Sequence, residues 1–383
     1  MKKIAVYFDG TWNVPDQRST NGRPCPTNIV KLYQATLATS PAKDIQVVQY
    51  IKGLGTRWSE RITGGGFGYG ISENIKEGYK FLVSNYQPGD EIYIFGFSRG
   101  AFSARSLVGL IRNVGILRRE KFYLVDEAYK GYKSKARAWH PDGVKAIEFR
   151  SINTYGDEKI KFLGVFDTVG SLGAPFGIVM RWVINRLFGC SFHDTRLSSI
   201  VLNAAHCLAI DERRLPFMPT LMTPGANHNP KNFEQKWFPG VHSDIGGGYP
   251  ETGLSDITLE WMAGKARKNG LGIDLGRVNN PPFCPSISQP IHDSLGLVYR
   301  IATVFFVKIP GVIKLVSKNY VKHLPNIKWS GAYIREISDK GDVQPYLGKP
   351  GSATGKRYNG SLDHSVIEKI NLDKQKYNPP NVV

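Results

Sequence analysis

The chain has 383 residues, of which 41% are hydrophobic and 21% charged, the composition of a globular protein long enough to bury a hydrophobic core. Its four cysteines lack C-x-x-C spacing, which argues against a disulfide framework or a cysteine zinc site and fits a reducing compartment: Cys25, Cys190, Cys207 and Cys284. The formal net charge of +18 predicts attraction to polyanions, without distinguishing nucleic acid, an anionic lipid surface and an acidic partner.

Short apolar runs alternate with longer segments of helical spacing. The apolar runs predict five core strands: KIAVYF (3–8), IQVVQYI (45–51), EIYIFGF (91–97), KIKFLGVF (159–166) and QKWFPGV (235–241). Helical spacing predicts helices for NIVKLYQATLA (28–38), ISENIKEGYKFLVSNY (71–86) and RLSSIVLNAAHCLAIDE (196–212). This alternation is typical of an α/β fold, a mostly parallel sheet with helices on both faces.

Two segments interrupt the alternation. Residues 13–27 form a turn-rich loop, and residues 294–328 are apolar, rich in lysine and without an acid. In a helix, three lysines spaced four apart would share one face: Lys314, Lys318 and Lys322. That pattern fits either a lid or membrane-docking segment or a core-packing helix with a basic outer face. We expect one catalytic domain over residues 1–383, without a transmembrane span, because lysines and a proline interrupt the apolar stretch.

Polar or glycine-rich sequences follow the predicted strands, although buried strands need only apolar residues. These sequences are DGTWN (9–13), KGLGT (52–56), SRG (98–100), DTVGS (167–171) and HSDIGGG (242–248). Ligands of parallel sheets bind at the carboxyl ends of the strands. The pattern therefore predicts one shared site at this edge of the sheet.

A G-x-S-x-G sequence, Gly96-Phe97-Ser98-Arg99-Gly100, lies between a predicted strand and the plausible helix FSARSLVGLIRNVG (102–115). In a nucleophile elbow, a serine occupies such a sharp strand-to-helix turn, and the helix N-terminus favours developing negative charge. The context predicts Ser98 as a nucleophile. The alternative is a simple glycine turn between a strand and a helix.

A serine hydroxyl needs a base to accept its proton, and the chain has eight histidines. His242 follows a predicted strand and precedes three glycines, so we predict it as the base; the alternative is a structural histidine at a turn. His206 lies within a predicted helix, which favours a hydrogen-bonded core histidine. His292 and His364 lie in HDS and DHS sequences that suit helix caps.

The acid that orients the base has two candidates. The order Ser, acid, His is usual on sheets of this kind, and both Asp167 and Asp211 fit it. Asp167 ends the strand after the Ser98 strand and is preferred. Asp211 stays open as the alternative, within a sequence whose acids and arginines could pair with one another.

An oxyanion hole needs two backbone N–H donors. One donor is predicted from Arg99, directly after the nucleophile. The other is predicted from the Gly10-Thr11 loop, because glycine lets the backbone approach closely. Asp9 is expected to hold that loop through side-chain hydrogen bonds.

Five ordered motifs carry a resemblance to a known family: FDGTWN (8–13), GFSRGAFSAR (96–105), FDTVGS (166–171), AIDERR (209–214) and PGVHSDIGGGY (239–249). The chain resembles the DUF2235 family of α/β-hydrolase-like proteins, which includes the Tle1-type phospholipase effectors of the type VI secretion system. The resemblance runs from about residue 3 to about residue 250, with a weaker match at DHSVIEKI (363–370).

The resemblance implies an α/β-hydrolase core, serine esterase chemistry and, for effector members, release of fatty acids from phospholipids. By motif it assigns the nucleophile to Ser98 and the base to His242, and it leaves the acid open. No cofactor is implied. The partners implied are a phospholipid or other ester, an anionic membrane surface, and a secretion-apparatus or immunity protein. MKKIAVYFDG lacks the apolar core of a secretory signal, so we expect a cytoplasmic protein, with export as an effector left open.

Two rival functions belong to other classes. In the first, four strand-end side chains bind a divalent metal in a phosphoesterase: Asp9, Asp167, His242 and Asp244. In the second, residues 117–139, where aromatic residues interleave with Lys and Arg, bind nucleic acid without catalysis. A solvated helical face is the ordinary interpretation of that segment. A lipolytic serine hydrolase is the leading hypothesis.

Overall fold

The computed structural model describes residues 1–11, 13–53, 66–156, 158–170, 196–214, 217, 219–223, 232–294, 334–337, 343–346 and 361–372. Of the predicted lid or docking segment, 294–328, only Ser294 falls within these ranges, so that prediction lies outside the described residues. None of the helices in these ranges is both long and apolar enough to cross a bilayer.

A parallel sheet organises the described residues. Its strands are β1 Lys2–Phe8, β2 Ile45–Ile51, β3 Glu91–Phe97, β4 Ile160–Phe166, β5 Ala204–Ala209, β6 Phe233–Phe238 and β9 Ser361–Leu362. They are ordered β2-β1-β3-β4-β5-β6-β9 across the sheet, and neighbouring strands pair in parallel throughout. Two further strands, β7 Ile334–Ile337 and β8 Val343–Tyr346, form an antiparallel pair.

Helices cover both faces of the sheet, as predicted. The helices are α1 Asn28–Ala35, α2 Gly66–Asn85, α3 Arg99–Val114, α4 Val125–Lys133, α5 Val144–Asn153, α6 His242–Gly246, α7 Gly253–Lys268 and α8 His364–Leu372. Short 3₁₀ helices span Arg119–Leu124, Arg137–Trp139 and Leu275–Arg277. Alternate residues of β1 enter two different cores, one with α2 and α3 and the other with α1 and α7. This division follows from the two-residue period of a strand.

The helix predicted over 196–212 is wrong, because residues Ala204–Ala209 form strand β5 between β4 and β6. A short apolar run that is buried on both faces carries no period that separates a strand from a helix. His206 therefore lies in a strand, where it is completely buried. Its Nε2 accepts from the N–H of Thr168 at 3.2 Å, and its Nδ1 contacts Gln235 Oε1 at 2.8 Å, so it is a hydrogen-bonded core histidine.

The strand order reverses at β1. The chain runs from β1 outward to β2 and then returns across β1 to β3, which leaves a crevice at the carboxyl ends of β1 and β3. Ligands of open α/β sheets bind in such a crevice. Asp9 follows β1 and Ser98 follows β3, so the topology brings the first and third predicted site segments together.

A buried ion pair joins α1 to α7. Lys31 Nζ lies 2.5 Å from Asp256 Oδ1, and both side chains are fully buried. Burial lowers the pKa of Lys31, while Asp256 opposes that shift. The other Asp256 oxygen accepts from Thr252 Oγ1 and from the N–H of Cys284, both at 2.9 Å.

We expect Lys31→Met to lower the free energy of unfolding by about 3–5 kcal/mol, because it leaves a buried carboxylate without its cation. Urea unfolding followed by tryptophan fluorescence measures the loss. Adding Asp256→Asn should recover part of it. The control is Arg23→Gln, which breaks the exposed Arg23–Glu251 pair and should change stability by less than about 1 kcal/mol. Equal effects of Lys31→Met and Arg23→Gln would contradict this expectation.

Candidate active site

Ser98 occupies a strained turn between β3 and α3. Its φ is 57° and its ψ −121°, a left-handed conformation that non-glycine residues rarely adopt. The Ser98 N–H donates to the carbonyl of Phe166 at the end of β4, at 3.0 Å. A Cβ on Gly100 would lie 2.3 Å from the carbonyl oxygen of Phe8, and one on Gly96 would lie 2.6 Å from Cα of Ala101. The flanking glycines therefore allow the turn to form against β1 and α3.

His242, the first residue of α6, contacts both the hydroxyl and a carboxylate. Its Nε2 lies 2.8 Å from Ser98 Oγ, and its Nδ1 lies 2.6 Å from Asp167 Oδ2. An ionised carboxylate only accepts hydrogen bonds, so Nδ1 carries the hydrogen of the neutral ring. Nε2 is then an acceptor for the Ser98 hydroxyl. The arrangement can move a proton from the hydroxyl to the imidazole while the carboxylate faces the resulting cation.

Asp167 is held rigidly at the end of β4. It is completely buried and also has a positive φ, 35°. Its Oδ1 accepts from the N–H of Ala209 at 3.1 Å, and its own N–H donates to the carbonyl of Cys207 at 2.7 Å. Because β5 fixes both its backbone and one oxygen, the other oxygen has a defined position against His242.

Asp211, the alternative acid, occupies a different place. Its Oδ2 accepts from the N–H of Gly240 at 2.7 Å, and its N–H donates to the carbonyl of the same glycine at 3.1 Å. These bonds join the segments that follow β5 and β6. The structure thus brings Asp167 to the imidazole and places Asp211 in the adjoining backbone connection.

Two aromatic rings contact the imidazole. The centroid of Phe97 is 4.7 Å from that of His242, and Phe217 meets the imidazole edge-on at 4.9 Å. Burial lowers the pKa of His242, and the hydrogen bond with Asp167 opposes that shift. Burial therefore favours the neutral ring, which is the form able to accept a proton.

The loop after β1 is anchored through Asp9, as predicted. The buried Asp9 carboxylate accepts from the N–H of Gly10 at 2.7 Å, Thr27 Oγ1 at 2.8 Å and Tyr50 OH at 2.6 Å. Burial raises the pKa of Asp9 to about 6. The Gly10 N–H is thus already used within the chain. The hydroxyl of Thr11 is buried and has no hydrogen-bond partner among the residues that the structure describes.

Sequence reasoning missed Glu212 as a contact of the base. Its Oε2 accepts from the backbone N–H of His242 at 3.1 Å, and Arg214 binds the same carboxylate through Nε and Nη2. The AIDERR sequence signalled an acid–arginine pairing, which the structure contains between Glu212 and Arg214. Nothing in that local pattern points to His242, which lies 30 residues away.

The carboxylates proposed for a metal do not converge. Asp244 accepts from the N–H of Val241 at 3.0 Å and contacts His292 Nδ1 at 2.6 Å, whereas Asp9 holds its own loop. Across the described ranges no group of three or more His, Cys, Asp and Glu side chains is arranged to hold a metal ion. The metal hypothesis therefore has no assembled ligand set in that part of the chain.

The segment proposed for nucleic acid, 117–139, packs as an amphipathic surface layer. Val125, Ala128 and Gly131 of α4 are buried, whereas its lysines lie toward solvent. A Cβ on Gly131 would lie 2.5 Å from the Trp139 ring, so that ring packs against the helix. The packing matches the ordinary interpretation, a solvated helical face.

Comparison with known proteins identifies a family. Residues 2–265 match the family model for the catalytic domain of Tle1-like phospholipase effectors of the type VI secretion system. An uncharacterized protein of Saccharomyces cerevisiae is 33% identical over 244 residues, which is 58% of this chain and 33% of that protein. The chain spans about a third of the length of this curated relative.

Two solved structures are similar at low sequence identity. An uncharacterized protein from Pseudomonas aeruginosa has a TM-score of 0.44 and 16% identity, over 83% of this chain and 52% of that one. A structure of the Tle1 effector bound to the VgrG spike has a TM-score of 0.33 and 22% identity, over 65% of this chain and 51% of that one. The chain therefore spans about half of each.

We expect His242 to titrate at lower pH than a histidine in an unstructured peptide, because burial disfavours the imidazolium. NMR of the ring Cε1 signal as a function of pH measures the midpoint. Asp167→Asn should lower the midpoint further, because it removes the carboxylate that stabilises the cation. A wild-type midpoint at or above the peptide reference would contradict this expectation.

Proposed function

The chain belongs to the family of Tle1-like type VI secretion phospholipase effector catalytic domains, and on that basis we propose that it is a serine hydrolase of phospholipid carboxylic esters. The observation that carries the proposal is the continuous hydrogen-bonded path from Ser98 Oγ through His242 to Asp167. The strained turn at Ser98 supports it, because such strain concentrates at functional sites.

The reaction starts when His242 Nε2 accepts the proton of Ser98 Oγ as that oxygen attacks the ester carbonyl. Asp167 holds the Nδ1–H tautomer and stabilises the imidazolium. The imidazolium then gives its proton to the departing alcohol, which leaves the acyl group on Ser98. Water, deprotonated by His242, then attacks the acyl carbon; the bond to Ser98 Oγ breaks, the imidazolium returns its proton to Oγ, and the fatty acid is released.

The oxyanion of the tetrahedral intermediate needs donors beside Ser98. Gly10, Thr11 and Arg99 were the candidates, and Gly10 already donates to Asp9. Arg99 is the first residue of α3, where the N-terminus favours negative charge. Thr11 can supply its backbone N–H and also its buried hydroxyl, for which the described ranges provide no hydrogen-bond partner. We assign the oxyanion donors to Arg99 and Thr11.

Substrate and partners follow from charge and family. The net charge of +18 favours association with anionic bilayers, which would concentrate the enzyme on its substrate. Membership of an effector family supports export and binding to secretion-apparatus and immunity proteins. We propose a single catalytic domain in which residues 294–328 form the lid or membrane-docking segment.

The central experiment measures hydrolysis of labelled phospholipids and short acyl esters. Ser98→Ala should lower kcat by at least about 10³-fold, and Asp167→Asn should lower it comparably, because each breaks the proton path. Asp211→Asn is the matched control, because its carboxylate bonds the backbone of Gly240. It should stay within about threefold of wild type in kcat if it is folded, because the asparagine amide oxygen can accept the same bond from the Gly240 N–H.

Several results would overturn the proposal. The first is ester hydrolysis that Ser98→Ala retains. The second is a loss of kcat in Asp211→Asn as large as the loss in Asp167→Asn. The third is activity that EDTA removes and an added metal restores. Circular dichroism and thermal unfolding of each variant separate lost chemistry from lost structure. Salt-sensitive nucleic-acid binding without ester hydrolysis would instead favour the polyanion-binding rival.

Thr11→Val should lower kcat by about 10²-fold with little change in KM, because removal of an oxyanion donor acts on the transition state. Thr11→Ser keeps the hydroxyl and should retain most activity. Thr11→Val should not lower the free energy of unfolding, since a methyl of similar shape replaces a buried hydroxyl that bonds no group in the described part of the chain. Equal kcat in wild type and Thr11→Val would show that the Thr11 hydroxyl is not an oxyanion donor.

A further inference from the structure

A buried ion pair lies against the backbone of His242. The Glu212 side chain has no exposed surface, and Arg214 retains 13% of its side-chain surface. Glu212 Oε1 accepts from Arg214 Nε at 2.9 Å, and Oε2 accepts from Arg214 Nη2 at 2.8 Å, a bidentate pair. The carboxylate also accepts from the backbone N–H of Arg214 at 2.7 Å and from Ser294 Oγ at 3.1 Å.

The same pair reaches His242 by two routes. The first is the bond from the His242 N–H to Glu212 Oε2 at 3.1 Å, which fixes the start of α6. The second runs through Phe217: the Arg214 guanidinium lies 3.7 Å from the centroid of this ring, and the ring meets the imidazole edge-on. Glu212 thus holds the backbone of His242, and Arg214 supports one wall of its ring.

A buried ion pair is a poor source of stability, because desolvating both charges offsets their attraction. A role in orienting another group accounts for it better. Within the described ranges Glu212 accepts from Arg214, Ser294 and His242, and His242 is the residue that must hold its ring between Ser98 and Asp167. The placement is therefore specific to His242.

We propose that the Glu212–Arg214 pair positions His242, holding its backbone and its aromatic wall while placing two opposed charges beside the imidazole. The proposal rests on the proposed function, in which His242 is the base. Glu212 acts through the backbone N–H of His242 and Arg214 acts through the Phe217 ring, so they are positioning residues.

The opposed charges give the pair a distinctive electrostatic effect. The charged groups that act on His242 are Asp167, directly after β4, and Glu212 and Arg214, in the segment after β5. Asp244 of α6 instead accepts from the N–H of Val241 and contacts His292. Burial lowers the pKa of His242 most and Asp167 raises it; of the pair, Arg214 lowers it and Glu212 raises it. In the intact pair, the two charges therefore shift the pKa of His242 in opposite directions.

The test measures kcat/KM against pH in four variants. Glu212→Gln leaves the Arg214 cation unbalanced, which lowers the pKa of His242. The acid limb of the profile, where kcat/KM falls as His242 gains a proton, should therefore move to lower pH by about half a unit. Arg214→Gln leaves the carboxylate unbalanced, so the limb should move to higher pH by about the same amount. The double variant Glu212→Gln/Arg214→Gln should return the limb close to wild type. Arg213→Gln, which removes an exposed neighbouring charge, should leave it unmoved.

Positioning is measured separately from charge. Arg214→Lys keeps the charge but loses the planar bidentate contact, so kcat/KM on the plateau should fall by about tenfold while the limb stays in place. This variant also covers the case in which Arg214→Gln does not fold. The proposal would be overturned if the acid limb moved in the same direction in Glu212→Gln and Arg214→Gln, or if it moved in neither variant. A plateau value of kcat/KM in Arg214→Lys equal to that of wild type would also overturn the proposal.

Failure of the proposed function gives a different result. If wild type hydrolyses no ester, the NMR midpoint of His242 replaces the kinetic limb in the same variants, with the same opposed directions expected. Opposed midpoints without hydrolysis would overturn the proposed function alone and leave the electrostatic role of the pair standing. Unchanged midpoints alongside Ser98-dependent hydrolysis would overturn the pair and leave the function standing.

Discussion

The arrangement at the sheet edge depends on the imidazole of His242 being bonded through both nitrogens. Ser98 Oγ lies 2.8 Å from one nitrogen and Asp167 Oδ2 lies 2.6 Å from the other. Both contacts require the ring to keep one position and one tautomer. The contacts of Asp167, Phe97 and Phe217 with the imidazole hold the ring in that position.

The parallel sheet supplies the rigidity that this geometry needs. Ser98 and Asp167 both have positive φ, which is unfavourable for residues with a Cβ. They keep these conformations because the ends of neighbouring strands bond their backbones: Ser98 to the end of β4 and Asp167 to β5. Strain at the site is therefore sustained by hydrogen bonds that extend across the sheet. A loop without such neighbours would relax.

The charges of the protein act on two different scales. The net charge of +18 is a property of the whole surface and bears on association with anionic partners. At the site, acids are buried and each is matched to specific donors: Asp9 to its loop, Asp167 to His242 and Ala209, and Glu212 to Arg214 and His242. In a site shielded from water, these local pairs govern protonation more strongly than distant surface charge does.

Local patterns among the amino acids were sufficient to predict the α/β alternation, the glycine-flanked turn at Ser98 and the positions of Asp9, Asp167 and His242 after strands. These features are local, since they depend on periodicity and on residues within one turn. The tertiary structure alone decided that 204–209 is a strand and that the imidazole meets Asp167, while Asp211 bonds Gly240. The bond from the Gly10 N–H to Asp9 and the contact of Glu212 with the backbone of His242 also emerged only from the tertiary structure. The physical reason is separation along the chain: Asp167 and Ser98 lie 75 and 144 residues from His242, so their contacts depend on the order of strands across the sheet.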